Sequence, residues 1–320
     1  MAETDKLSPN RFRLSLARML FFALFAALLF SAGLFVPILG FWCLLMSPLP
    51  LALLGMREGL RWQTTGTALA GGVLLLTSGP FSALYFLIGQ GPLAYALSLS
   101  PRGRGTGAEA LLLCSGVSVL SKLVLLGVFL ALTGQNPLMP DPEQLRLLVA
   151  RLYAELPLDG EQTLAIRDAV DEAVALFPYM LPPLVLISSL LDAFVNYRLG
   201  VFYQRGRASV PPALPPFSEW RFSRTLLPAM FWAFFMELFT SDWVPGAMFA
   251  MNLKLVLGFF FFLQGLSLLW WWFAWRRVGL FWRCLALAVL AFPLLWIWLV
   301  VLGVGDMLFD LRRRASERRG

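Results

Sequence analysis

Residues 108–133 read AEALLLCSGVSVLSKLVLLGVFLALT, twenty-six positions with one glutamate near the start and one lysine, Lys122, in the middle. About 20 apolar residues in a helix suffice to cross the hydrocarbon of a bilayer, so this stretch is long enough to span. Comparable runs recur at 19–39, 41–54, 64–77, 81–97, 177–203, 226–240, 246–275 and 281–307. Of the 320 residues, 59% are hydrophobic and only 14% charged, and the mean hydropathy is +0.73. A water-soluble globule of this length could not hide so much apolar surface, because its exterior must stay largely polar. The sequence therefore predicts an all-α polytopic membrane protein with about nine transmembrane helices. Eight is the alternative, if the short second run with Pro48 and Pro50 fails to cross or Pro293 turns the last run back.

Charge sets the orientation. Lys6, Arg11, Arg13 and Arg18 precede the first run, and Arg57, Arg61, Arg102, Arg104, Arg205, Arg207, Arg276 and Arg277 follow alternate runs. Cytoplasmic loops are rich in Lys and Arg, which places the N-terminus in the cytoplasm. Residues 134–176 carry three basic and eight acidic residues, net −5, the opposite of the flanking loops. This insert is expected outside, as a helical hairpin whose starts are marked by Asp141-Pro142 with Gln144 and by Asp159 with Gln162. The domain reading is a six-span half at 1–203 carrying the insert, then a basic Pro-rich cytoplasmic linker at 204–224. Further membrane helices follow at 225–311, and a basic tail at 312–320. Nine spans would leave that tail outside, against the charge rule.

Absences exclude several chemistries. The chain has no histidine, so imidazole metal sites, Ser-His-Asp triads and His proton relays are ruled out. Cys43, Cys114 and Cys284 stand in apolar runs at no metal-ligand spacing, so no metal site is expected. No phosphate loop, nucleophile elbow or paired carboxylates in a polar cleft occur, which predicts a protein that is not an enzyme and holds no cofactor. The net charge of +7 is topology signal from short loops, and no nucleic-acid partner is expected. The expected surroundings are the lipid bilayer and another membrane protein.

Polar groups inside apolar runs are the candidates for function, because burying them in hydrocarbon is costly unless protein or a cavity receives them. Lys122 and Asp192 lie deep in their runs, with Asn196 one turn from Asp192. Gln90, Asn252 and Gln264 form a second set, alongside Glu237 and Lys254, which lie near enough to an outer end to snorkel. Lys122 is 14 residues into its run and Asp192 is 11 residues from the end of its own, depths of ~21 Å and ~17 Å at about 1.5 Å per residue. The two charges are expected to meet, with Asn196 completing the cluster, either along a small-molecule or ion path or as helix-to-helix bonds. Ala23, Ala27 and Ser31 recur every four positions and predict a close-packing face on the first span. That face and the Pro-rich linker are the places at which another membrane protein would dock. Trp270-Trp271-Trp272 and Trp275 before Arg276-Arg277 read as an interfacial aromatic belt.

Four segments carry a resemblance over nearly the whole chain: Pro48 to Gly59 (PLPLALLGMREG), Pro215 to Phe222 (PPFSEWRF), Asn252 through Gln264-Gly265, and Gly305 to Arg312 (GDMLFDLR). With them the sequence resembles the YybS-like family of bacterial integral membrane proteins. The first six spans are similar in layout to the substrate-binding S components of energy-coupling factor vitamin transporters and to MreD, a cell-shape membrane protein. The resemblance implies a bacterial inner-membrane location and two roles. One is binding or transport of a small molecule; the other is a non-catalytic scaffold. It transfers no ligand residues, and the 43-residue insert and the spans after the linker depart from the S-component layout.

Overall fold

The computed structural model describes residues 9–102, 105–136, 141, 143, 146–147, 160–206, 210–240, 243–290 and 296–317. The described residues form helices joined by short turns, and two compact units emerge: Met1–Leu148 with Ser188–Leu214, and Val149–Ile187 with Pro215–Gly320.

In the first unit α1 (Pro9–Phe35) ends because Val36 precedes Pro37, which forces Val36 into extended backbone (φ −106°, ψ 106°). α2 (Pro37–Met46) and α3 (Leu49–Glu58) are separated by the Ser47-Pro48 turn, where Pro48 and Pro50 lack the N–H groups a continuous helix would need. Gly59 at φ +94° turns the chain into α4 (Leu60–Ser78), and Gly79 at φ +89° turns it again. The next helix runs as α5 (Pro80–Leu84), a π turn (Tyr85–Gln90) and α6 (Gly91–Leu99). α7 (Gly107–Thr133) opens on a Thr106/Glu109 capping box and closes on Gly134 at φ +69°.

Every residue from Leu49 to Met56 in α3 is buried. The later part of the short second run, from Leu49, is thus wrapped by protein, while Phe41 and Trp42 at its start are exposed. α1 packs on α2, α3 and α4, burying Ala23, Ala26, Ala27 and Phe30, while Phe21, Leu24 and Leu28 on its other side are exposed. Ala23 and Ala27 of the small face of the first span are therefore packed against the chain's own helices. Ser31 sits at its end, 3.5 Å from Ser78 Oγ. Ala27→Leu will separate these helices and destabilise the protein by about 2 kcal/mol, whereas Leu24→Ala, at a position 50% exposed, will move the melting temperature little. Equal shifts in a thermal melt of the two variants would refute this packing.

α8 (Gly160–Tyr203) is one helix of 44 residues containing Pro178, Pro182 and Pro183. It contributes residues to both units. The second helix expected in the outer hairpin is continuous with the returning span; of the first, Glu143, Arg146 and Leu147 are described and helical, and residues 142, 144, 145 and 148–159 lie outside the described residues.

The second unit adds α9 (Leu226–Phe239), α10 (Val244–Trp275), α11 (Leu280–Leu290), α12 (Trp296–Phe309) and α13 (Leu311–Glu317). Its core is Ala233, Leu257, Phe261 and Met307, with Phe222, Leu226 and Leu253 packed around them. α10 and α12 touch backbone to backbone. A Cβ on Gly265 would lie 1.9 Å from Leu299 O, and one on Gly303 would lie 2.0 Å from Phe261 O.

Among the described residues six helical stretches are long and apolar enough to cross a membrane: Asn10–Phe35, Leu39–Glu58, Pro80–Leu99, Gly107–Thr133, Leu176–Tyr203 and Pro245–Trp275. Two shorter apolar helices, Leu226–Phe239 and Trp296–Phe309, accompany them. The run at 64–77 falls in α4, whose Arg61, Gln63, Thr64, Thr65 and Thr67 make it too polar to join the six. The run at 281–307 is divided between α11 and α12, and Pro293 lies outside the described residues.

Candidate functional site

Lys122 projects from the middle of α7 and Asp192 from α8, and both are buried, at 8% and 4% exposure. Lys122 Nζ stands 2.5 Å from Asp192 Oδ2 and donates a second hydrogen bond to Ser118 Oγ, one turn back, at 2.9 Å. The meeting expected from matched depths is made. Neither charge could be left alone, since one unpaired charge at the centre of a bilayer costs about 2.5–3.5 kcal/mol on insertion scales.

The π turn brings Gln90 to this pair. Pro92 has no N–H to offer the helix, and Gly91 N–H bonds Phe86 O, five residues back, in place of the α pattern. Ser121 Oγ from α7 donates to Gly89 O at 3.0 Å and ties the widened turn to the helix that carries Lys122. The Gln90 amide then lies within hydrogen-bonding reach of Asp192 and Tyr85.

Asn196 is on the same face as Asp192 but does a different job from the one expected. Its Nδ2 donates to Leu45 O at 2.7 Å and to Asp192 O at 2.8 Å. Leu45 is in the last turn of α2, where the proline-broken helix leaves carbonyls without donors, and Asn196 supplies one. So Asn196 fastens α8 to the α2–α3 break and does not bond the ion pair. Two acceptors here, Gln90 Oε1 and Asn196 Oδ1, are buried without a donor among the described residues. Buried acceptors of this kind are normally satisfied, so the cluster has capacity to receive a hydrogen-bond donor.

The second set of candidates divides. Asn252 sits in α10 with its Oδ1 buried and undonated among the described residues. Lys254 pairs with Glu237 and lies 5.3 Å from the Phe234 ring centroid; Glu237 is 44% exposed at its side chain, consistent with snorkelling. Gln264 belongs to a network that sequence reasoning missed. Its Nε2 donates to Asp306 Oδ2 at 2.6 Å and its Oε1 accepts from Phe222 N–H at 3.0 Å. Arg312 Nε donates to the same Asp306 oxygen at 3.1 Å, Nη1 to Ser218 O at 2.6 Å and Nη2 to Ser267 Oγ at 3.1 Å. Ser267 Oγ in turn bonds Phe217 O and Trp220 O. Burial holds the Arg312 guanidinium below its ordinary pKa, and the Asp306 carboxylate beside it pulls the other way.

This network grips residues 217–222 of the linker. The linker's earlier residues are spent on the first unit: Tyr197 OH donates to Pro212 O at 2.7 Å, and Gly107 lies so close to Ala213 that a Cβ would come 2.5 Å from its carbonyl oxygen. Pro211 and Leu214 are buried, while Ala213, Pro215 and Pro216 are exposed. The Pro-rich stretch is thus anchored to its own chain through Pro212 and Ala213.

A helical bundle with apolar exteriors, spanning lengths and a mid-span ion pair defines a polytopic membrane protein. The chain belongs to the family described as predicted membrane protein, DUF2232, which matches residues 23–307. No curated protein matches it, and no solved structure does.

Proposed function

We propose that this chain is a bacterial inner-membrane protein, YybS-like in kind and with its N-terminus in the cytoplasm, that binds a small molecule in the manner of S components. The ligand site is the Lys122–Asp192 cluster. The supporting observation is the pair of donor-less buried acceptors, Gln90 Oε1 and Asn196 Oδ1, beside that ion pair. A ligand that donates hydrogen bonds suits them, and no catalytic step is assigned to the site. The test is native mass spectrometry of the full-length protein purified in mild detergent. A co-purifying small molecule is expected on the wild type and absent from Lys122→Met/Asp192→Leu, provided the variant melts at a similar temperature. No bound molecule on the wild type, or equal retention by the variant, would refute the proposal.

A second reading, an MreD-like scaffold, is favoured by α7. Gly116 and Gly127 have nothing within 4 Å of where a Cβ would stand, and Leu112, Leu120 and Leu123 beside them are exposed. Small residues unused inside the chain let another helix approach closely. Under this reading a membrane-protein complex survives Lys122→Met/Asp192→Leu and is lost in Gly116→Leu/Gly127→Leu.

Orientation is tested separately. With Cys43, Cys114 and Cys284 replaced by serine, a cysteine at position 160 is expected to react with an impermeant thiol reagent in intact cells, and one at position 207 to stay protected. The reverse pattern would invert the topology.

A further inference from the structure

Among the described residues two that are not glycine adopt positive φ, Arg277 at +54° and Asp310 at +47°. L-residues with a Cβ avoid this region, and glycine takes it readily. Asp310 has a visible return for its conformation: its carboxylate faces Arg221 at 3.2 Å and Arg224 at 3.8 Å. Arg277 has none among the described residues. It occupies the left-handed position after α10, where its N–H bonds Ala274 O and the next N–H, of Val278, reaches back to Phe273 O. Glycine is the usual residue there, yet the chain places its glycine two positions later, at 279.

The surroundings of Arg277 say what its side chain would meet. Arg276 stacks over Trp275 and Trp272, with centroid distances of 5.0 and 5.8 Å, and Arg283 lies over Trp270 at 5.4 Å. Arg283 also donates to Val278 O and Phe273 O, which fixes the turn. None of these three arginines has a carboxylate partner among the described residues. α11 begins immediately after, and its first helical bond, Arg283 N–H to Gly279 O, leaves the N–H groups of Leu280, Phe281 and Trp282 without helical acceptors, a setting that attracts anions. Those same residues expose large apolar side chains, 69%, 71% and 62% exposed. Cationic heads, free N–H groups and an indole belt thus stand directly beside apolar surface at the end of a membrane-length helix.

We propose that the turn from Trp275 to Trp282 binds the phosphate of an anionic phospholipid, with Arg276 and Arg277 on the headgroup and Leu280, Phe281 and Trp282 along the acyl chains. Basic clusters at membrane-facing helix ends recognise such headgroups. Arg283 is left native in the test because it holds the turn. The full-length protein is reconstituted in nanodiscs of phosphatidylcholine doped with phosphatidylglycerol, and lipid retained after detergent extraction is counted by native mass spectrometry. The wild type is expected to retain phosphatidylglycerol preferentially. Arg277→Gly, which relieves the positive φ while removing the side chain, is expected to melt no lower in pure phosphatidylcholine and to retain roughly fivefold less phosphatidylglycerol. Arg276→Gln/Arg277→Gly should abolish the preference. Retention unchanged in Arg277→Gly would overturn the proposal. Stabilisation of the wild type in pure phosphatidylcholine by inorganic phosphate, equal to that by phosphatidylglycerol, would make the ligand a free anion and overturn the lipid assignment.

Discussion

Alanine at Gly303 is expected to lower the stability of the second unit by about 3 kcal/mol. The new Cβ would stand 2.0 Å from Phe261 O and 2.9 Å from Gly265 N. Both are backbone atoms, so no rotamer change can relieve the clash, and α10 and α12 must move apart along their contact. Gly265→Ala meets Leu299 O at 1.9 Å and should act as strongly. The internal control is Gly258→Ala on the same α10, where nothing lies within 4 Å. There alanine removes backbone freedom from the unfolded chain and should be neutral or stabilising by about 0.5–1 kcal/mol. Thermal melts of the three variants in one detergent test this, and similar melting temperatures for Gly258→Ala and Gly303→Ala would show that the helices do not meet at their glycines.

Lys122→Met is expected to cost about 3–5 kcal/mol, because it leaves the Asp192 carboxylate buried with its counter-charge gone. Methionine keeps most of the volume, so the loss reports charge and not a cavity. Asp192→Leu alone should be comparably damaging, for it strands the ammonium. Removing both charges together is expected to recover most of the loss, since a buried ion pair is often no more stable than apolar residues of similar size. Ser118→Ala, which removes one hydrogen bond of 2.9 Å to Nζ, should cost only about 1 kcal/mol. Additive damage in the double variant would mean that each charge has its own partner and that the pair is incidental.

The ion pair could be read from the sequence because each charge interrupts a long apolar run, and helix rise converts position into depth. The role of Asn196 could not. Its acceptor is a backbone carbonyl 151 residues away, exposed by a proline break that looks in sequence like a short span. In sequence Asp306 belongs to the end of the last apolar run and Arg312 to the start of the basic tail. They lie where a run ends in Arg-Arg-Arg, and charges in that place read as solvated. What makes Arg312 only 3% exposed is the approach of linker carbonyls from residues 217–222, a contact between segments more than 90 positions apart. The usable signal was Gly303, three residues before Asp306, a small residue that permits close approach to α10 on the side where a buried carboxylate then finds Gln264. The α1 face was legible as a packing surface, but its spacing alone carries no information about whether the helix against it belongs to the same chain.

The grip on the linker also fixes an order of events during synthesis. The ribosome makes Ser218 long before Arg312, so its carbonyl lacks its final partner while some 90 further residues are added. Ser267 arrives midway and can take up Phe217 O and Trp220 O; Ser218 O waits for the guanidinium. Residues 217–222 therefore reach their final bonding only after α12 has been made, and a ribosome stalled anywhere between Ser267 and Arg312 would hold a linker that is half fastened. The completeness of the last helices is thus recorded at a segment translated much earlier, in whether Ser218 O has its guanidinium.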